Sequence, residues 1–354
     1  MKLNSLFRDK AYAFSQAGNP DDDCRFASTL LEKTHPKFPI KDIFLWSVSD
    51  HYDVFVLLDD KKQSFKLKVS LSDPDGVLKR ESVVLRRNPC PSLPILLDYG
   101  TIKIGEEVVY LLTRIPSGES VRSHGRSSLL SNLDLFLESY WTLVKSPNVK
   151  PTYKKVITQF TKDLIPKNAL SADSLRALED YSDYDLCVEI LSSLRVDILK
   201  HFEGVQKKLN KKCHAGLSLD SIFYYGGGFY FEELHNVCMG HPYIDFCDLL
   251  IEMGSPEQND ISLWRRFCGS GLIPQDRELY EKIYQMCIRK KLADLLISYI
   301  KEIYVYDSFR YENIFYIADS FSHAYARFST IESFKENKDF IMKTICEPIF
   351  GVKA

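Results

Sequence analysis

The residues best suited to chemistry are concentrated in one stretch of the chain, Cys213–Phe246. It carries carboxylates that include Asp220, Glu233 and Asp245. A carboxylate can accept the proton of a substrate hydroxyl, or it can bind Mg²⁺ through its oxygens. These carboxylates are therefore candidates for acid–base chemistry or for a metal site.

The same stretch also carries side chains that zinc accepts as ligands. Five of them fall between positions 213 and 241: Cys213, His214, His235, Cys238 and His241. Zn²⁺ binds Cys and His tetrahedrally. No C-x-x-C pair is present, however, and free cysteines are commonly buried as small apolar residues. A zinc site is therefore the less favoured interpretation of these side chains.

The composition limits the classes of function. The chain has 354 residues, 45% of them apolar and 27% charged, with a formal net charge of -2. This balance gives no electrostatic basis for binding nucleic acid or an anionic membrane surface. No run approaches the roughly 20 apolar residues of a membrane-spanning helix, and the first residues lack the apolar centre of a secretory signal. Nine irregularly spaced cysteines are typical of free thiols in a reducing compartment, so we expect a cytoplasmic protein.

The elements that must position these residues change character along the chain. Alternating apolar residues predict a β-hairpin within 43–69, and a short helix is expected after Gly76. Two further strands are expected around 95–99 and 108–113, and helical spacing dominates the remainder. The sequence therefore predicts an α+β protein with a helical segment at 1–40, a strand-rich lobe with one embedded helix at 41–114, and a larger helical lobe at 115–354.

Three motifs resemble the catalytic core of the aminoglycoside phosphotransferase and choline kinase family. H-A-G-L-S-L-D-S-I-F is similar to H-G-D-x-x-x-x-N-I-L, Y-F-E-E-L-H-N-V to I-D-[WF]-E, and G-H-P-Y-I-D-F to G-D-P-x-x-D-[LF]. The resemblance covers residues from about 40 to 250. It implies a bilobal protein-kinase-like fold, with ATP and Mg²⁺ as cofactors and a nucleotide or small molecule in the cleft between the lobes.

In the first lobe, F-K-L-K-V-S resembles the V-x-K strand whose lysine neutralises the ATP phosphates, which places Lys68 in that role. L-K-R-E-S-V-V-L then resembles the helix whose carboxylate orients the lysine, here Glu81. The connector Y-L-L-T-R-I-P-S-G resembles the family hinge, so the backbone of Leu112, Thr113, Arg114 and Ile115 is expected to meet adenine. The stretch before the hairpin contains no glycine and does not match a Gly-rich phosphate loop.

The second lobe keeps the frame of the family motifs and loses their reactive side chains. Gly216 stands at the catalytic aspartate, and glycine cannot accept a proton, so a factor of about 10²–10⁴ in rate should be lost. Ser221 stands at the metal-binding asparagine, Glu233 at the metal-binding aspartate, and His241 at the first aspartate of the last motif. Asp245 is retained.

Two functions remain open from the sequence. The first is a pseudokinase-type protein that binds a ligand or a protein partner without transferring phosphate. The second is an atypical ATP- and Mg²⁺-dependent phosphotransferase of small molecules, in which Asp220 substitutes for the missing base and Glu233, with Ser221 as a weaker ligand, holds the metal.

Overall fold

The computed structural model describes most of the chain. The described ranges are 20–48, 52–73, 76–86, 90–115, 119–124, 126–149, 151, 156–162, 182–225, 227–254, 257–271, 273–300 and 311–342. The predicted helical segment at 1–40 is therefore described only from residue 20 onward.

The described elements follow the predicted order, with strands first and helices later. The earlier elements are α1 (Pro20–Thr34), β1 (Asp42–Val48), β2 (Asp53–Leu58), β3 (Ser64–Leu71), α2 (Val77–Leu85), β4 (Ile95–Ile104), β5 (Glu106–Ile115), β6 (Glu119–Ser120), α3 (Val121–His124), α4 (Arg126–Ser131), α5 (Leu133–Lys145) and α6 (Val156–Lys162). The later strands are β7 (Lys211–Cys213), β8 (Ile222–Tyr225), β9 (Gly228–Phe231) and β10 (Cys238–Gly240). The later helices are Ser182–Glu203, Pro242–Met253, Glu257–Gly271, Arg277–Ile300, Tyr311–Phe328 and Glu332–Glu336. The predicted α+β class is confirmed.

The chain divides into two compact units. The first contains residues 1–152 and 220–235, and the second contains 153–219 and 236–354. The first unit thus extends past residue 114 and takes in a hairpin from much later in the chain. The lobe boundary expected after residue 114 stays a prediction.

A five-stranded antiparallel sheet forms the centre of the first unit, in the order β1-β2-β3-β5-β4. The middle strand, β3, is buried from Ser64 to Ser70. Successive side chains of a strand point to opposite faces of the sheet. Its apolar residues, Phe65, Leu67 and Val69, therefore share one face, while Lys66 and Lys68 share the other.

Helix α1 covers the apolar face of the sheet. Phe26, Leu30 and Leu31 belong to the same buried cluster as Phe65 and Leu67 of β3. Their spacing of one, four and five residues places them on one side of the helix. Each fully buried Leu or Phe contributes about 1.5–3 kcal/mol, so this helix is an integral part of the first unit.

Helix α2 supplies a buried carboxylate. Its buried residues recur every three to four positions, and Glu81 falls among them, with Leu78 and Leu85 on either side. The carboxylate of Asp73 accepts the backbone N–H groups of Leu78 and Lys79 at 3.3 and 3.1 Å, which satisfies two donors of the first turn. The embedded helix predicted after Gly76 is thereby confirmed, and its burial pattern explains why a glutamate faces inward.

The hairpin β8–β9 packs on α5 within the first unit. Phe136 of α5 meets Phe229 and Phe231 of β9 with ring centroids 5.6 and 5.9 Å apart. The N–H of Phe231 also donates to the carbonyl of Ser92 at 3.0 Å. These contacts hold the residues that follow β9 in a fixed position.

The second unit is mostly helical. Asp276, one residue before the helix Arg277–Ile300, accepts the N–H of Leu279 at 3.0 Å and so caps the helix. The guanidinium of Arg327, 2% exposed, pairs with the carboxylate of Asp260 at 2.6 Å. Over the described ranges, no helix is long and apolar enough to cross a membrane.

Candidate functional site

A lysine–glutamate pair lies on the polar face of the sheet. Lys68 of β3 donates from Nζ to both carboxylate oxygens of Glu81, each at 2.9 Å. Both side chains are buried. Burial alone would lower the pKa of Lys68, but the carboxylates of Glu81, Glu233 and Glu232 outweigh it and raise that pKa, so the ammonium group stays charged. The pair that the sequence motifs implied is formed, whereas its role in binding nucleotide stays a prediction.

Tyr52 and Glu233 extend this charged cluster at the start of β2. The hydroxyl of Tyr52 donates to Oε1 of Glu233 at 2.7 Å, and the Nζ of Lys68 lies 4.9 Å from the centre of the Tyr52 ring. His235 lies beside both, with its Nε2 3.8 Å from Oε2 of Glu233 and its ring edge-on to that of Tyr52. Burial and the carboxylates of Glu233 and Glu81 raise the pKa of Tyr52 well above its ordinary value, so the hydroxyl remains a donor.

A second buried ion pair lies next to the first. The Nζ of Lys66 donates to both oxygens of Glu232, each at 2.7 Å, and it also lies 4.2 Å from the centre of the Phe223 ring. The two charged side chains are 5% and 12% exposed. In the V-x-K pattern the residue at position 66 is apolar, so this pair is a departure from the family motif.

The expected adenine-binding residues lie inside the sheet. Leu112 of β5 is paired with Leu67 of β3 on one side and Asp98 of β4 on the other. Arg114 is likewise paired with Phe65 and with Ile95. Because β5 lies between two strands, the backbone groups of Leu112 and Arg114 face β3 and β4. Their contact with a base stays a prediction, and residues 116–118, directly after the strand, lie outside the described residues.

The proposed substitute base, Asp220, is already engaged. Both of its carboxylate oxygens accept from Nε of Arg122, at 2.9 and 2.8 Å, although the carboxylate is 47% exposed. The neighbouring Ser221 is buried, and its carbonyl accepts the N–H of Glu232 at 2.9 Å. This arrangement does not favour Asp220 as the acceptor of a substrate proton.

The loop that resembles the catalytic loop is held by a buried aspartate of the second unit. Asp245 accepts the backbone N–H of His214 at 2.7 Å and that of Ala215 at 2.6 Å. Ala215 has a φ of 58°, in the left-handed region that non-glycine residues seldom adopt. The hydrogen bonds to Asp245 therefore fix a backbone turn that alanine would not adopt by itself.

The space beside Gly216 is occupied by another side chain. A Cβ atom placed on this glycine would lie 2.4 Å from Nδ2 of Asn236 and 3.1 Å from its Cγ. An aspartate cannot be accommodated at position 216 unless Asn236 moves. The loss of the base predicted from the sequence is therefore accompanied by a neighbour that fills its place.

His241 caps a helix where the family motif has an aspartate. Its Nδ1 accepts the N–H of Tyr243 at 3.2 Å, at the start of the helix Pro242–Met253. Burial, together with the positive charges of Lys211 and Lys208, lowers the pKa of His241 from 6.5 to about 3. A neutral imidazole thus replaces the carboxylate as the cap, because only the unprotonated ring nitrogen can accept this hydrogen bond.

We expect His241 to make the stability of the second unit dependent on pH. The folded-state pKa is depressed, so this contribution is present above pH 6.5 and is lost as the pH falls towards about 3. His241→Asn keeps an acceptor for the cap and removes the titration. When the pH falls from 7 to 5, the unfolding free energy of the wild type should fall by about 2 kcal/mol more than that of the variant. Urea unfolding at both pH values measures this shift, and parallel pH profiles would contradict it.

A metal-binding cluster does not emerge from the described residues. No group of three or more His, Cys, Asp and Glu side chains is arranged there to hold a metal ion. Cys213 and Cys238 do face each other across β7 and β10, with their Sγ atoms 3.7 Å apart. Metal binding by Glu233 and Ser221 stays a prediction, and the zinc alternative gains no geometric support from the described residues.

Comparison with known proteins identifies the fold. No protein-family model matches the chain, and no curated protein matches it by sequence. A thermostable mutant of aminoglycoside phosphotransferase APH(4)-Ia in its apo form has a TM-score of 0.55 at 11% identity, over 85% of this chain and 98% of that one. A ternary complex of such a mutant with AMP-PNP and hygromycin B gives 0.52 at 14%, over 84% and 96%. The GDP and kanamycin complex of APH(2")-IIia gives 0.54 at 13%, over 84% and 98%.

These matches show the fold of the chain. The chain has the protein-kinase-like fold of the aminoglycoside phosphotransferases, as the motifs between residues 40 and 250 predicted. At these identities the likeness concerns the fold alone.

Sequence reasoning missed three residues of the charged cluster. Tyr52, Lys66 and Glu232 were not singled out, although all three are buried and Tyr52 bonds to the predicted residue Glu233. Lys66 could have been found from strand alternation, because it must share a face with Lys68. The contacts of Tyr52 and Glu232 join positions 181 and 166 residues apart, so no local pattern indicates them.

Proposed function

We propose that this chain is a kinase-like binding protein of the cytoplasm that no longer transfers phosphate. The observation that carries the proposal is Gly216, which has no side chain to act as a base and whose neighbouring space holds the amide of Asn236. The engagement of Asp220 by Arg122 supports the same conclusion, because the suggested substitute base is already paired with a guanidinium.

The ligand is proposed to be anionic and to meet the polar face of the sheet in the first unit. Lys68 is charged and held in place by Glu81, which suits a phosphate group. Proteins of the same fold in complex with AMP-PNP or GDP support a nucleotide as the first candidate. Mg²⁺ in phosphoryl-transfer sites is held by one or two protein side chains together with the phosphates of the nucleotide, and Glu233 and Ser221 stay its proposed ligands. The proposal assigns no step to a metal.

A second candidate is a slow phosphotransferase of small molecules. The formed Lys68–Glu81 pair favours it, because such a pair is a required part of the phosphoryl-transfer template. The aminoglycosides hygromycin B and kanamycin, bound by proteins of the same fold, are the first acceptors to test.

We expect purified protein to form no phosphorylated product from ATP with or without Mg²⁺. The measurement is transfer of labelled γ-phosphate to hygromycin B, kanamycin or choline, compared with the uncatalysed background. The lost general base accounts for about 10²–10⁴ in rate. A parallel thermal-shift titration with ATP reports binding independently, because a ligand that is selective for the folded state stabilises it.

Asp220→Asn is the control that separates the two candidates. The substitution removes the carboxylate charge and keeps the shape of the side chain. Measurable transfer by the wild type that disappears in this variant would establish the rescued enzyme and would refute the pseudokinase proposal.

A further inference from the structure

Tyr52 occupies the place in the first unit where a phosphate-binding loop would be expected. It directly precedes β2, at the end of the β1–β2 connection. In nucleotide-binding proteins, glycines at such a place let backbone amides approach phosphate groups closely. The connection in this chain has no glycine, and its last residue is a buried tyrosine that is 3% exposed.

Tyr52 contacts the ammonium group that a phosphate ligand would use and the carboxylate beside it. Its hydroxyl donates to Glu233 at 2.7 Å, and its ring covers the ammonium group of Lys68 at 4.9 Å. The same ammonium group already donates to both oxygens of Glu81. A phosphate that approached Lys68 would therefore have to replace the tyrosine ring.

The backbone at Glu233 indicates that this contact is specifically maintained. Glu233 has a φ of 59°, in the left-handed region that is unfavourable for a residue with a side chain. Such strain persists where the surrounding structure over-determines the conformation. The hydrogen bond from Tyr52 and the nearby ring of His235 are two contacts that hold the carboxylate in this position.

We propose that Tyr52 is a built-in occupant of the phosphate site, and that a polyphosphate ligand such as a nucleoside triphosphate binds only when Tyr52 is displaced. This inference rests on the proposed ligand-binding function and adds its regulation. The apparent affinity of the closed protein is reduced by the small fraction of molecules in which Tyr52 has moved away.

The test compares the full-length wild type with Tyr52→Ala, Tyr52→Phe and Tyr225→Ala. Each protein is titrated with ATP and with inorganic tripolyphosphate, with and without Mg²⁺, by calorimetry and thermal shift. Tyr52→Ala should lower the dissociation constant about tenfold or more, and Tyr52→Phe should lower it less because the ring remains. Tyr225, a 44% exposed tyrosine at the hairpin tip, is the matched control and should change nothing. Adding Lys68→Met to Tyr52→Ala should abolish the gain.

Several outcomes would overturn the inference. One is wild-type binding as tight as that of Tyr52→Ala, and another is a folded Tyr52→Ala with no gain. A gain that survives Lys68→Met would place the ligand elsewhere. If Tyr52→Ala does not fold, Tyr52→Phe decides, because loss of the hydrogen bond to Glu233 alone must still improve binding. Wild-type binding that Tyr52→Ala does not improve overturns the inference alone, whereas no binding by either protein overturns the proposed ligand as well.

Discussion

Glu232→Ala is expected to lower the unfolding free energy of the first unit by about 3–5 kcal/mol. The substitution removes the carboxylate that accepts two hydrogen bonds from Lys66 at 2.7 Å, and it leaves an ammonium group that is 5% exposed without this partner. A buried charge that loses its partner retains the full cost of its desolvation. Urea unfolding, with hydrogen exchange at β8 and β9 as a local probe, measures the effect.

The double variant Lys66→Met, Glu232→Met is the matched control. It replaces both charges by apolar side chains of similar size, and such exchanges of buried ion pairs are often neutral or stabilising. We therefore expect the unfolding free energy of the double variant to be within about 1 kcal/mol of that of the wild type, or higher. If Glu232→Ala unfolds at the same urea concentration as the wild type, the loss of this partner does not destabilise the first unit.

Asp245→Ala is expected to lower the unfolding free energy by about 3–6 kcal/mol, because hydrogen bonds to a charged group contribute about 1.5–3 kcal/mol each. It should also release the loop that begins at His214. The carboxylate accepts the N–H groups of His214 and Ala215 at 2.7 and 2.6 Å and is 1% exposed. Its removal leaves two buried donors without this acceptor and frees Ala215 from its left-handed conformation. Urea unfolding gives the total effect, and hydrogen exchange at residues 214 and 215 gives the local one.

Asp248→Asn is the control for this prediction, in the same helix, Pro242–Met253. Burial, and then the charge of Asp245, raise the pKa of Asp248 above its ordinary value, and asparagine keeps the shape of this side chain. We expect a change of less than about 1 kcal/mol. An Asp245→Ala variant that keeps slow exchange at residues 214 and 215 would contradict the assigned role of the aspartate.

The sequence carried enough local information to predict the elements and the class of fold. The alternation around Phe65, Leu67 and Val69 predicted β3, and the motif resemblance placed Lys68 opposite Glu81. The identity of Gly216 was sufficient to predict a lost base, because glycine has no side chain to do the chemistry.

The remaining features depend on contacts between distant parts of the chain. The partner of Asp220 is Arg122, 98 residues earlier, and the filling of the space at Gly216 by Asn236 depends on how a loop folds back. The position of the expected hinge residue Leu112 could not be predicted from local sequence patterns either. Only the strand pairing shows that it lies between β3 and β4.

The discontinuous composition of the first unit has a consequence for biosynthesis. Its sheet is made from the early part of the chain, yet the hairpin that carries Glu232 is 166 residues beyond Lys66. At translation rates of about 5–20 residues per second, Glu232 is synthesised roughly 8–33 seconds after Lys66. The ribosome must therefore release the hairpin before the first unit can close.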